Sequence, residues 1–413
     1  MKLTHVIISL LFLTYPTAYA TPLELPKASP EDVGMSSDRL ERINPVMQEY
    51  VDENKLAGVL TMVARKGKVV HLETVGKMNI AEEKPITEGT IFRIYSMSKP
   101  ITSVAVMMLY EEGHFRLDQK VSKFIPEFRD LQVFKSKTEE GMELDALEHE
   151  MTIRHLLTHT SGLTYGWGSG PVDELYRSAK IFEPGTTLSQ MTQKLAKIPL
   201  VCQPGTKWEY GVSVDVLGYL VEVISGVPFE QFLQQRIFEP LSMVDTGFGV
   251  PENKRHRYAE LYRPQTEGGI EVVAEAPLSD GPYRFFPSSG GGLVSTASDY
   301  MRFCLMLLNG GALDGVRVLG RKTVDLIRMN HVPEDVIGDR DTGFGLGFSV
   351  VRDMVKTGEL ASAGTISWGG AAATTFWIDP QEQLIGILMT QLLSNPHPFQ
   401  RQFRVLAYSA ITD

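Results

Sequence analysis

A chain of 413 residues carries a formal net charge of −10, with 22% charged residues. The sign is wrong for a nucleic-acid partner. Hydrophobic residues make up 43%, an ordinary level that argues against disorder, and the length suits one large body with an inserted lobe.

In chain order, Lys2 gives a short basic start, Val6 to Thr14 is apolar but short for a bilayer span, and Ala18-Tyr19-Ala20 offers small residues. This is the pattern of a cleaved secretory signal over residues 1–20. An uncleaved anchor is the alternative. Export to the periplasm or the medium is expected, with no stable membrane span once the signal is removed. Val59 to Ala64 and Val69 to Val75 alternate around Arg65-Lys66-Gly67-Lys68, which predicts a hairpin. A buried helix is predicted from Pro100 to Tyr110, apolar on nearly every side. Thr152 to Leu157 reads as a capped helical turn. Val212, Val216, Leu220 and Ile224 recur at helical spacing until Ser225-Gly226. Ser288 to Leu293 reads as a flexible, hinge-like run. Thr296 is expected to cap the next helix, with Asp299 as its capping-box partner. Strands return from Gly347, at Gly364 to Ser367, Thr374 to Ile378 and Leu384 to Thr390, and Pro398 to Ile411 suits a terminal helix. Strands at both ends and helices between predict an α+β fold: an antiparallel sheet from residues 21–112 and 290–413, flanked by helices. A mainly helical lobe, 113–289, is inserted.

The chemistry starts at Ile94-Tyr95-Ser96-Met97-Ser98-Lys99-Pro100. Pro100 is tolerated only in a helix's first turn, which puts Ser96 at the N-terminus and Lys99 one turn on. Residues three apart share a face, so the Lys99 ammonium can reach the Ser96 hydroxyl. A serine hydroxyl needs an adjacent base to attack, and a desolvated lysine can serve, because burial disfavours an ammonium. Ser98 is the rival nucleophile, offset to another face. Tyr210, in a loop before a helix, is the candidate proton relay; an interface tyrosine is the plain alternative. Trp368-Gly369-Gly370-Ala371 ends a predicted strand. Its glycines permit close approach of a substrate, and the Ala371 N–H is a candidate oxyanion donor beside that of Ser96. A β-bulge is the plain alternative there.

These stretches resemble the serine β-lactamase and penicillin-binding-protein superfamily, in its class C β-lactamase-like branch, and most of all the family VIII carboxylesterases. Ser96-Met97-Ser98-Lys99 looks like that superfamily's S-x-x-K, Tyr210-Gly211-Val212 like its Y-x-N, and Trp368-Gly369-Gly370 like its K-T-G. His155 to Leu163, the loop from Pro204 to Tyr210 and Gly290 to Thr296 also look like this branch. The resemblance spans roughly the whole mature chain. It implies a β-lactamase/transpeptidase-like fold and an acyl-enzyme on Ser96, served by Lys99 and Tyr210, with no cofactor.

Two departures matter. Val212 stands where the lactamases have an amide-binding asparagine. Trp368 stands where they have the carboxylate-binding lysine. Both argue for a small neutral ester over a lactam or peptide, in a cleft to which Tyr165, Trp167 and Tyr283 are candidate contributors. The same residues would serve a β-lactamase, a D-amino-acid peptidase or a transacylase, and a non-catalytic cell-wall binder stands as the other class. Lys356-Thr357-Gly358 spells K-T-G but reads as a hairpin connection. His155 and His159 are spaced like zinc ligands but lack the H-E-x-x-H glutamate, so no metal is expected and His159 is expected to be hydrogen-bonded in a turn. Cys202 and Cys304 are available to pair in an oxidising compartment, though Cys304 reads as a buried core residue.

Overall fold

The computed structural model describes residues 24–139, 141–276, 286–338 and 340–413. The predicted leader, residues 1–20, and Tyr283 lie outside the described residues.

The predicted hairpin is present as β1 (Gly58–Arg65) and β2 (Lys68–Asn79), followed by the short β3 (Lys84–Pro85). The C-terminal part adds β4 (Gly343–Phe344), β5 (Ser349–Val350), β6 (Ile366–Gly369), β7 (Thr375–Asp379) and β8 (Leu384–Thr390). They form one sheet in the order β4-β5-β6-β7-β8-β1-β2-β3. Every neighbouring pair is antiparallel. The two ends of the chain meet where β8 pairs with β1, with Leu60 opposite Met389 and Met62 opposite Ile387.

Five helices matter for the site: α1 (Ile43–Asp52), α2 (Ser98–Glu111), α3 (Ser213–Ser225), α4 (Ala297–Leu308) and α5 (Phe399–Ser409). The central strands are buried on both faces, so their alternate residues serve two cores. Leu60, Met62, Phe376, Ile378, Ile385 and Ile387 point towards α2 and α4, joining Ile101, Val104, Met301 and Phe303. Val59, Val63, Trp377, Leu384 and Leu388 point the other way, onto Ile43 and Met47 of α1 and Phe399 and Phe403 of α5. Each such side chain contributes about 1.5–3 kcal/mol by leaving water, which makes the sheet and α2 a rigid base for the nucleophile. α3 packs against α2 from the intervening segment. That segment also contains two β-ribbons, Gln132–Thr138 with Gly141–Ala146 and Tyr262–Pro264 with Ile270–Val272.

Thr296 caps α4 as expected, its hydroxyl accepting the Asp299 N–H at 3.2 Å. The reciprocal half of the capping box is absent. The Asp299 carboxylate accepts instead from the Asp245 N–H at 2.7 Å and the Thr246 hydroxyl at 2.9 Å, both at Oδ2. Those donors arrive through the tertiary fold and lie outside any local pattern. Burial pushes the Asp299 pKa from 3.8 to about 6. The folded state therefore holds this proton more tightly than the unfolded one. The cost of the buried charge is absent below the unfolded value, grows through the window between the two, and is complete above the folded one, at about 3 kcal/mol. Asp299→Asn keeps an acceptor for both donors. It should raise Tm in thermal melts at neutral pH and leave Tm nearly unchanged near pH 4 (about the unfolded pKa). Equal shifts at both pH values would contradict this.

Cys202 and Cys304 are both free thiols, and Cys304 is fully buried in α4.

Candidate active site

Tyr95–Met97 forms a single 3-10 turn that runs directly into α2. Ser96 lies in that turn, just ahead of the α-helix, and Pro100 falls in the helix's first turn, where its missing N–H costs nothing. Tyr95 has φ of +41°, an uncommon backbone for a residue with a side chain. Its buried ring packs with Leu261 and Ala372, and Met97 O accepts the Tyr300 hydroxyl at 2.9 Å, which together hold the turn. Ser98 is fully buried, donating to Tyr95 O at 2.6 Å and accepting the Leu293 N–H at 3.1 Å. The rival nucleophile is thus spent on structure, while Ser96 stays partly open.

Lys99 is only 1% exposed. Its Nζ donates to Ser96 Oγ at 3.1 Å and to Gly290 O at 2.7 Å. It also lies 4.8 Å from the Tyr210 ring centroid and 5.3 Å from that of Tyr165, where the ring faces favour a cation. The run from Ser288 to Gly292 is no hinge. It is a buried wedge: the Ser288 hydroxyl and the Gly290 N–H donate to Asp215 Oδ1 at 2.5 and 3.1 Å, and the Ser289 hydroxyl donates to Val214 O at 3.0 Å. Small residues are needed here for close approach. A Cβ on Gly290 would sit 2.6 Å from Asp215 Oδ2 and 3.1 Å from the Tyr165 hydroxyl oxygen.

Asp215, which sequence reasoning missed, is fully buried on α3, and among the described residues its Oδ2 has no hydrogen-bond partner. Burial raises its pKa, and the Lys99 ammonium opposes the rise. Asp215 therefore fixes the carbonyl that anchors Lys99 and supplies negative charge facing it. A signal was available: an aspartate on α3 set among the apolar Val214, Val216 and Leu217.

Tyr210 enters from the loop before α3. That loop is pinned by Trp208 N–H to Val336 O at 2.9 Å and Glu209 N–H to His159 O at 2.7 Å. The Tyr210 hydroxyl donates to Ser96 Oγ at 2.8 Å. Its ring is walled by Trp208, stacked at 5.9 Å and 8°, by His159 at 4.9 Å, by Tyr165 at 5.3 Å and by Trp368 at 5.5 Å. His159 is hydrogen-bonded in a turn through its backbone, its N–H donating to Leu156 O at 3.4 Å and its carbonyl accepting the Glu209 N–H. Among the described residues neither ring nitrogen has a partner, and burial holds its pKa well below the usual value, so the ring stays neutral as part of the aromatic wall. His155 accepts the Thr152 N–H at 3.2 Å and completes a capping box. Both members of the zinc-like pair are committed to structure.

On β6, Trp368 packs between Tyr210 and Phe344. Gly369 pairs with Thr375. The Gly370 N–H donates to Thr374 O at 2.9 Å, and a Cβ there would lie 2.4 Å from Ile94 O. That glycine lets the strand end lie against the nucleophile turn; the close approach is to protein backbone. Ala371 is exposed, and among the described residues neither its N–H nor that of Ser96 has an acceptor. Val212 is 0% exposed in the main core, so it does not line the cleft. Lys356 sits on a short helix, Met354–Thr357, within the β5–β6 connection, and pairs with Glu334 at 3.7 Å. Tyr165 stacks on Trp167 at 4.4 Å and 13°, and Trp167 is 75% exposed. The two border an open groove of about 760 Å³ with Ile181 and Phe182. The structure thus gathers Ser96, Lys99, Tyr210, Tyr165, Trp368 and the Gly370-Ala371 backbone.

Fold and site together define a serine hydrolase. The chain belongs to the Beta-lactamase family, whose model matches residues 43–410. It is 35% identical over 358 residues to Protein Rv1367c of Mycobacterium tuberculosis (strain ATCC 25618 / H37Rv), covering 84% of this chain and 88% of that one. It is 31% identical over 377 residues to Esterase EstB of Burkholderia gladioli, covering 84% and 89%. Among solved structures, EstCE1, described as a hydrolase with promiscuous acyltransferase activity, superposes with a TM-score of 0.77 at 26% identity, covering 90% of this chain and 99% of that one.

Proposed function

We propose that this protein hydrolyses carboxylic esters of small molecules through an acyl-enzyme on Ser96. One observation carries the reading: Ser96 Oγ accepts hydrogen bonds from both Lys99 Nζ, at 3.1 Å, and the Tyr210 hydroxyl, at 2.8 Å. Lys99 and Tyr210 act as one coupled base, so the proton belongs to the pair. Ser96 Oγ forms a bond to the ester carbonyl carbon and gives its proton to that pair. The carbonyl oxygen, now negative, meets the free N–H groups of Ser96 and Ala371. The bond to the alcohol oxygen breaks, and the alcohol leaves with the proton. Water then gives a proton to the same base and attacks the acyl carbon, the bond to Ser96 Oγ breaks, the carboxylic acid leaves and the proton returns to Ser96 Oγ. No step calls for a metal or organic cofactor.

Esters are favoured over lactams because Trp368, in place of the lysine, cannot make the carboxylate contact, and Val212, turned into the core, leaves the amide contact unmade. With p-nitrophenyl butanoate and a chromogenic cephalosporin assayed side by side, kcat/KM should favour the ester by about 100-fold or more, as expected for two lost polar contacts. A preference for the lactam would overturn the ester reading. Transfer of the acyl group to an alcohol is the second reading, favoured by the description of EstCE1. The leader pattern supports export to the periplasm or the medium, which N-terminal sequencing of an exported protein beginning at Thr21 would check.

A further inference from the structure

Trp368 removes the cation from the strand that faces Ser96, yet the cleft is not without positive charge. Arg340, just before β4, lays its guanidinium over Trp208, with the central carbon 4.1 Å from the ring centroid. Trp208 in turn stacks on Tyr210. Arg340 is close enough to act electrostatically on both the Tyr210 phenol and the His159 ring. Its donors are unspent. Among the described residues it donates no hydrogen bond and has no carboxylate within 4.0 Å, and its buried Nε has no partner. The neighbouring cations are already committed: Arg352 and Lys356 to Glu334, Arg401 and Arg404 to Glu359. Asp341 acts on it electrostatically but does not pair with it. A half-buried guanidinium with no paired carboxylate is costly to keep, and its fork geometry matches one.

The placement also says which end of the substrate it meets. Tyr165 packs with Trp167 and Phe182, while Trp208 packs with His159 and Phe344; the two sets share only Tyr210. Tyr210 is the phenol beside Ser96, from which the departing alkoxide recovers its proton. The Tyr165–Trp167 groove, lined by Ile181 and Phe182, suits an apolar acyl chain, which leaves the flank from Tyr210 through Trp208 to Arg340 for the alcohol. We propose that Arg340 binds a carboxylate carried on the alcohol portion of the ester, so that the substrate class is an acyl ester of a hydroxy acid whose body reaches Arg340 along the edge of Trp208. This rests on the ester-hydrolase reading and narrows it. It replaces the neutral substrate that Trp368 alone suggests.

The test compares 4-carboxyphenyl butanoate with 4-carbamoylphenyl butanoate, which differ in charge and little in shape. In the wild type, the kcat/KM ratio should favour the carboxylate ester. In Arg340→Gln, that ratio should fall about tenfold or more, the usual weight of a charge-assisted contact. Arg340→Lys should recover part of it. An unchanged ratio, with both esters shifted together or not at all, would overturn the proposal. If the wild type hydrolyses neither ester, the ester reading fails, and calorimetric binding of 4-hydroxybenzoate still decides Arg340. Binding lost in Arg340→Gln would support the carboxylate site, and equal or absent binding in both proteins would overturn it.

Discussion

Alanine at Ser96 should lower kcat for p-nitrophenyl butanoate by about 10⁴-fold or more, while thermal unfolding stays within about two degrees of the wild type. The substitution removes the oxygen that accepts from both Lys99 and Tyr210. Everything around it remains. Lys99 keeps its bond to Gly290 O, and Ser98 keeps the turn tied to Tyr95 and Leu293. What turnover persists would come from the oxyanion donors and binding alone. Turnover near wild type would mean that the nucleophile is elsewhere.

Lys99→Met should be nearly as severe for activity, by about 10³-fold or more, and should also cost stability. Methionine keeps the length of the stem in a site that is 99% buried but loses the ammonium. Gly290 O loses its donor, and Asp215 loses the charge that offsets its burial. The sign of the pH effect follows. The Asp215 pKa is already raised in the folded state, and removing Lys99 raises it further. The fold then favours protonated Asp215, so the stability loss should be largest at neutral pH and shrink as pH falls through that folded value. Adding Asp215→Asn to Lys99→Met should restore much of the Tm at neutral pH without restoring turnover. Melts and steady-state rates on the single and double variants read the two effects separately. Recovery of activity in the double variant would contradict the role of Lys99 as base.

The parts that sequence reasoning reached are those set by local pattern. Pro100 fixed the start of α2, spacing put Lys99 under Ser96, and alternation marked β1, β2, β7 and β8. Tyr210 and Trp368 were recognisable because each sits in a short motif at an element boundary. The parts it missed depend on contacts far apart in the chain. Asp215 and Ser288 are 73 residues apart, and only the fold shows that they make one clamp. The glycines at 290 to 292 suggest flexibility locally but serve close packing. Arg340 lies between two aspartates, a pattern that reads as a solvated loop, and nothing nearby shows that its guanidinium reaches back over Trp208. Val212 was assigned to the cleft by analogy of position, whereas the start of α3 turns it into the core.

The site also shows how the fold divides its work. The sheet and α2 hold Ser96 and Lys99 on the most buried part of the molecule. Tyr210, Trp208, Tyr165 and Trp167 come from loops of the intervening segment, and Trp368 from the end of a strand. Ser96 and Lys99 thus sit on rigid elements, while Tyr210, the other half of the base, and most of the surfaces that would select a substrate sit on loops.

The most direct test of the central claim is mass spectrometry of the protein acid-quenched during turnover of p-nitrophenyl butanoate, followed by peptide mapping. The account predicts one added butanoyl group, on the peptide containing Ser96, retained longer in Tyr210→Phe and absent from Ser96→Ala. A butanoyl group on any other residue, or its persistence in Ser96→Ala, would contradict it.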